Sequence, residues 1–122
     1  MQVIRIIADI PVPEIQGARE FYTEFLGLSV EEFDLGWVAR FAAPAPNSYD
    51  QTVRIQLVAR DARAPVEPVA SILTPDVVAA FAEAQQRDYD IVYPLTKELW
   101  GAHRFFVRAP DGNVFNVVGH DS

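Results

Sequence analysis

The 122-residue chain has no cysteine, which excludes disulfides, thiolate metal ligands and a thiol nucleophile. Histidine is scarce: only His103 and His120 occur, and His120 falls in the last three residues, where fraying is expected. No apolar run approaches the roughly 20 residues of a membrane-spanning helix, so no membrane role is expected. Basic residues are outnumbered, 10 against 17 acidic, giving a net charge of −7. With a pI near 4.6 and no basic stripe, the surface repels phosphate backbones, and nucleic-acid binding is not expected. The same field would concentrate a cationic small molecule. Met1 to Ile10 carry neither a basic leader nor a small-residue cleavage site, so a cytoplasmic location is expected.

What remains is ordinary globular material: half the residues are apolar and 22% are charged, in a length suited to one domain, 1–122. VIRIIADI, residues 3 to 10, is β-branched and runs into Pro11, which predicts a buried strand ending there. From Glu14 the period changes. Ile15, Ala18, Tyr22 and Phe25 or Leu26 recur at helical spacing, and Gly27 stands where a helix C-cap would fall. LSVEEFDL, GWVARFAAP and TVRIQLVAR then read as three strands, separated by Gly36 and a polar loop from Pro44 to Gln51. The same order follows again: PVASILT as a strand, PDVVAAFAEAQQR as a helix with a Val77, Ala80, Phe81, Ala84 stripe, then DIVYPL, HRFFVRA and NVFNVVG as strands. Pro13-Glu14 aligns with Pro75-Asp76 at an offset of 62 residues, and Arg54–Val58 with Val114–Val118 at 60, which argues for an internal duplication. The predicted class is α+β, two tandem βαβββ modules at about 1–60 and 66–122, with curved mixed sheets and the helices on their outer faces.

Two segments carry a family resemblance. PVPEIQGAREFYTEFLGL, with Phe21-Tyr22 and Leu26-Gly27, and LWGAHRFFVRAPDGNVFNVV, with Trp100-Gly101 and the Pro110–Asn113 turn, resemble the first helix and last hairpin of the vicinal oxygen chelate superfamily. That superfamily comprises glyoxalases, bleomycin-resistance proteins and extradiol dioxygenases, and the style here is closest to the metal-free bleomycin-resistance branch. The resemblance implies two βαβββ modules lining a concave cleft, and a homodimer. It also implies metal-ligand positions on the first and last strand of each module. Counting back from Phe21-Tyr22 places the first of these at Ile7, the repeat places its counterpart at Val69, or at Ala70 if the register slips by one, and the last-strand positions correspond to Gln56 and Asn116. Two aliphatic residues and two neutral amides cannot offset the lost hydration of a transition ion, so neither a metal nor another cofactor is expected.

Strand alternation then assigns faces. Arg5, Ile7 and Asp9 are expected to line the cleft with Arg54, Gln56 and Asn116, while Ile4, Ile6 and Ala8 pack on the helix. Phe33, Trp37, Phe41, Tyr49, Trp100 and Phe105, with His103, fall on strands or loops that border the cleft in this fold. Flat rings beside amide groups suit a planar, conjugated ligand. Glu31, Glu32, Glu83 and Glu98 are expected to be solvated. The leading functional expectation is a non-catalytic protein that sequesters an aromatic, cationic antibiotic or other natural product in a cleft at the dimer interface. The first alternative is a metal-independent isomerase, lyase or cyclase using Asp9, His103 or Tyr49; the second is a metal-dependent glyoxalase-type lyase.

Overall fold

The structure is a computed structural model that describes residues 1–46 and 52–120, with the side chain of His120 left aside. It divides into two compact units, residues 8–62 and residues 1–7 with 63–122, here the N-terminal and C-terminal units. The opening residues belong with the C-terminal unit, where the Ile4 N–H donates to the Leu73 carbonyl at 2.8 Å.

The N-terminal unit takes the end of β1 (Arg5–Pro11), then α1 (Ile15–Glu20), β2 (Val30–Asp34), β3 (Val38–Ala42) and β4 (Arg54–Val58). Its strand order is β2-β3-β4-β1, with β1 and β4 parallel and the other pairs antiparallel. The periodic segment after Glu14 is α-helical for only six residues and then widens into a π-helical turn, Phe21–Phe25. Gly27 follows at φ +74°, the left-handed conformation expected just past a helix end. Pro11 does not stop β1 but is its last residue, paired with Val58; a missing N–H costs little at a strand end.

The C-terminal unit repeats the plan with β5 (Ala70–Leu73), α2 (Val77–Gln86), β6 (Asp90–Lys97), β7 (Ala102–Arg108) and β8 (Val114–His120). The order is β5-β8-β7-β6, again with the first and last strands of the module parallel. Pro94 is tolerated inside β6 because that strand is an edge, and the ladder slips between Tyr93 and Thr96 around it. The Asp76 side chain caps α2 by accepting from the Ala79 N–H at 3.0 Å.

Each unit has its own core beneath its helix. Ile15, Leu28, Ala39, Phe41 and Leu57 form the first, joined by Ile10, Ala18 and Tyr22. Val77, Ala80, Ala84, Phe105 and Val117 form the second, with the Phe81 and Phe105 rings edge to face at 5.1 Å. Two expectations are corrected here. Phe41 and Phe105 face their helices, not a cleft, because they alternate with Arg40 and Arg104 along β3 and β7 and each is fully buried. Burying one such ring stabilises the fold by roughly 1.5–3 kcal/mol, which outweighs any role at an open surface. Of Ile4 and the even-numbered residues of β1, only Ile10 packs in the helix-side core. Ile4 and Ile6 are 53% and 62% exposed, and Ala8 is exposed as well.

Candidate functional site

The sheet face turned away from each helix carries a row of four residues set by strand register. In the N-terminal unit Asp9 pairs with Gln56, Gln56 with Arg40 and Arg40 with Phe33. In the C-terminal unit Ser71 pairs with Asn116, Asn116 with Phe106 and Phe106 with Tyr93. Directly paired residues project to one face, so each row is a contiguous strip of side chains. The first two positions of the rows are related by the offsets of 62 and 60 seen in the sequence.

The N-terminal row is charged and internally bonded. Arg40 Nε and Nη2 donate to Gln56 Oε1 at 3.2 and 3.1 Å, and Gln56 Nε2 donates to the Asp9 carboxylate at 2.8 Å. The Arg40 guanidinium also lies over the Phe33 ring, 4.8 Å from its centroid. Asp9 and Gln56 are buried and Arg40 is half-buried. Arg54, expected on this face, pairs with Glu32 at 2.9 Å, so neither is a simple solvated charge. Glu31 is likewise engaged, with Arg19; that bond is the main cause of a raised Arg19 pKa.

The C-terminal row is uncharged, but a buried ion pair adjoins it. Arg104, two positions before Phe106 on β7, donates through Nε to Glu98 Oε2 at 2.9 Å, with Nη2 2.6 Å from the same oxygen. Glu98 Oε1 accepts from the Tyr93 hydroxyl at 3.2 Å and lies 3.4 Å from Arg63 Nε. Tyr93, Trp100 and Phe106 surround the guanidinium of Arg104 at 5.1 to 5.3 Å from its carbon. Glu98 is therefore not a solvated surface charge: it is 5% exposed, tucked beneath a hairpin tip whose next residue, Leu99, is 96% exposed. Asn116 donates from Nδ2 to Ser71 Oγ at 3.0 Å.

Of the remaining residues singled out by sequence, Trp37 and Trp100 are half-buried beside Gly36 and Gly101. Ile7 is buried, and Val69 lies just before β5, bonding through its N–H to the Val114 carbonyl at 2.9 Å. Arg5 is half-buried, and its Nε is buried with no partner among the described residues. His103 pairs with Gly119 and shares the helix-side face with Phe105, away from the row. Tyr49 lies outside the described residues. Strand alternation in the sequence also puts Ser71 on the cleft side, but it gives no role to Arg40, Tyr93 or Arg104 and sends Glu98 to solvent. An arginine set among apolar residues, in VARFA and just before FFV, was the available signal for two of them.

The donor chemistry does not fit a metal. Ile7 and Val69 offer none, Gln56 Oε1 already accepts from a guanidinium, and Asn116 alone is a weak amide ligand. Among the described residues no three His, Asp or Glu side chains are grouped to hold an ion.

Two βαβββ units of one topology, each with its parallel first and last strands side by side, define the vicinal oxygen chelate fold. The family signature of the Glyoxalase/Bleomycin resistance protein/Dioxygenase superfamily matches residues 4–117, and the chain belongs to that superfamily. No curated protein sequence matches it. Among solved structures it is similar to one described as NAD-dependent benzaldehyde dehydrogenase from Legionella pneumophila, at TM-score 0.73 and 16% identity, covering 96% of this chain and 100% of that one. It is also similar to a glyoxalase/bleomycin resistance protein/dioxygenase superfamily member from Vibrio splendidus 12B01, at TM-score 0.62 and 14% identity, covering 96% and 98%. A third is methylmalonyl-CoA epimerase from Mycobacterium tuberculosis, at TM-score 0.63 and 18% identity, covering 98% and 90%. At these identities the likeness is one of fold.

Proposed function

We propose that this protein binds a planar, conjugated small molecule without a metal and without turning it over, conferring resistance to a natural product by sequestration. One observation carries the reading: Gln56, which the resemblance sets at a metal-ligand position together with Ile7, Val69 and Asn116, already has its oxygen engaged by Arg40. Sequestration needs only affinity, and in each unit a sheet face sets an amide beside rings, Gln56 near Phe33 in the N-terminal unit and Asn116 near Phe106 and Tyr93 in the C-terminal unit, which supplies contact area and orientation. A second copy of the chain would complete the cleft, and the uncovered Ile4 and Ile6 are apolar surface suited to such a contact. The net charge of −7 favours a cationic ligand from a distance, whereas Arg40 in the N-terminal row and Arg104 beside the C-terminal one lie close at hand. Screening within about 10 Å leaves the nearer groups to decide.

Titration with planar aromatic and with cationic antibiotics tests this, read by the fluorescence of Trp37 and Trp100, the two tryptophans of the chain. Quenching by a planar compound, together with protection of expressing cells and recovery of the compound unchanged, is the expected result. No quenching and no protection would end this reading.

A metal-independent isomerase or lyase is favoured by one feature, the buried Asp9 carboxylate fixed by Gln56. A carboxylate held in that way is oriented for proton abstraction. Product formation by the wild type that Asp9→Asn abolishes, with the compound still bound, would replace sequestration by catalysis.

A further inference from the structure

The two rows occupy equivalent register positions but differ in how their polar atoms are satisfied. In the N-terminal unit the polar members bond to one another, Arg40 to Gln56 and Gln56 to Asp9. In the C-terminal unit Asn116 is 8% exposed and its Nδ2 is spent on Ser71 Oγ, while its Oδ1 is buried with no partner among the described residues. The bond to Ser71 holds the amide by its nitrogen. Its ladder neighbour on the other side is Phe106, whose ring lies 5.3 Å from that of Tyr93, so no hydrogen-bond donor comes from there. Buried side-chain acceptors are rarely left unmade in folded proteins, and a desolvated one rewards a donor more than water would.

Building on the planar-ligand reading above, we propose that Asn116 Oδ1 is the acceptor that selects the ligand. The ligand class is then a conjugated ring system with an N–H or O–H donor on its edge, read by the C-terminal row. The N-terminal row is a bonded scaffold that does not read it. Selectivity follows from the cost of leaving the oxygen unpaired: an analogue of the same shape without the donor fills the same area and leaves Oδ1 unanswered in the complex.

Indole and 1-methylindole are a matched pair of probes, flat rings with and without the donor. The whole chain, labelled with ¹⁵N, is titrated with each and followed by its amide spectrum, including the side-chain NH₂ pair of Asn116. Indole is expected to bind about 5–10-fold more tightly, the worth of one neutral hydrogen bond, and to shift that pair. The advantage should vanish in Asn116→Leu and persist in Asn116→Asp, which keeps an acceptor. Spectral dispersion reports whether each variant is folded; if Asn116→Leu is not, Ser71→Ala replaces it, and releasing the amide should at least halve the advantage. Equal affinity for both probes in the wild type, the result expected if an internal water satisfies Oδ1, overturns the inference alone. So does an advantage unchanged in Asn116→Leu or in its Ser71→Ala substitute. If neither probe binds, the planar-ligand reading falls and the inference falls with it.

Discussion

Glu98 and Arg104 show how much a single side chain's surroundings change its meaning. Glu98 stands between Lys97 and Leu99 at a hairpin tip, a position that reads as solvent in the sequence, yet its carboxylate is enclosed and shared by Arg104 and Tyr93. Removing one member of such a pair leaves the other charged and desolvated. Arg104→Met is therefore expected to lower unfolding stability by about 3–5 kcal/mol, measured by urea denaturation. Arg54→Met, which breaks the more exposed pair with Glu32, should cost no more than about 1 kcal/mol in the same assay. If the two variants lose equal stability, the Glu98 pair is not the buried anchor described.

Helix ends and close approaches distinguish the elements. α2 has a side-chain cap in Asp76, whereas the Glu14 side chain makes no cap bond for α1. Asp76→Ala should cost about 1 kcal/mol, and Glu14→Ala much less, by the shift of the thermal midpoint. A tighter constraint lies where β8 passes the first turn of α2. A Cβ on Gly119 would sit 3.2 Å from Val77 Cβ and 3.3 Å from the Thr74 carbonyl, both on short, stiff attachments. Gly119→Ala is expected to destabilise by roughly 1–3 kcal/mol through overpacking, again read by urea denaturation. Gly112 contrasts with it: its Cβ would meet nothing within 4 Å, and its φ of +97° makes the cost conformational.

For the whole molecule, the donor inventory predicts that calorimetric titration with nickel, zinc, manganese or iron(II) finds no tight stoichiometric site. One tightly bound equivalent would return metal chemistry to this chain. The repeat, the superfamily and the α+β class were legible from the sequence, because they depend on local period: three- and four-residue steps in Ile15–Tyr22 and Val77–Ala84, and β-branched runs on either side. The likeness of Phe21-Tyr22 and Pro110–Asn113 to the family's motifs also lies in contiguous residues. The make-up of the rows was legible in part: Asp9, Phe33, Gln56, Ser71 and Asn116 were expected on the face away from the helix, whereas Arg40, Phe106 and Tyr93 were not. Whether Phe41 or Arg40 faces the helix depends on which neighbouring strand each pairs with, and a shift of one residue reverses the answer. Sequence alone determined that the chain is a doubled βαβββ protein of this superfamily. Only the tertiary structure decided that Arg40 answers Gln56, that Glu98 is buried and that Asn116 Oδ1 meets no donor among the described residues, because hydrogen bonds join residues that folding, not chain order, makes neighbours.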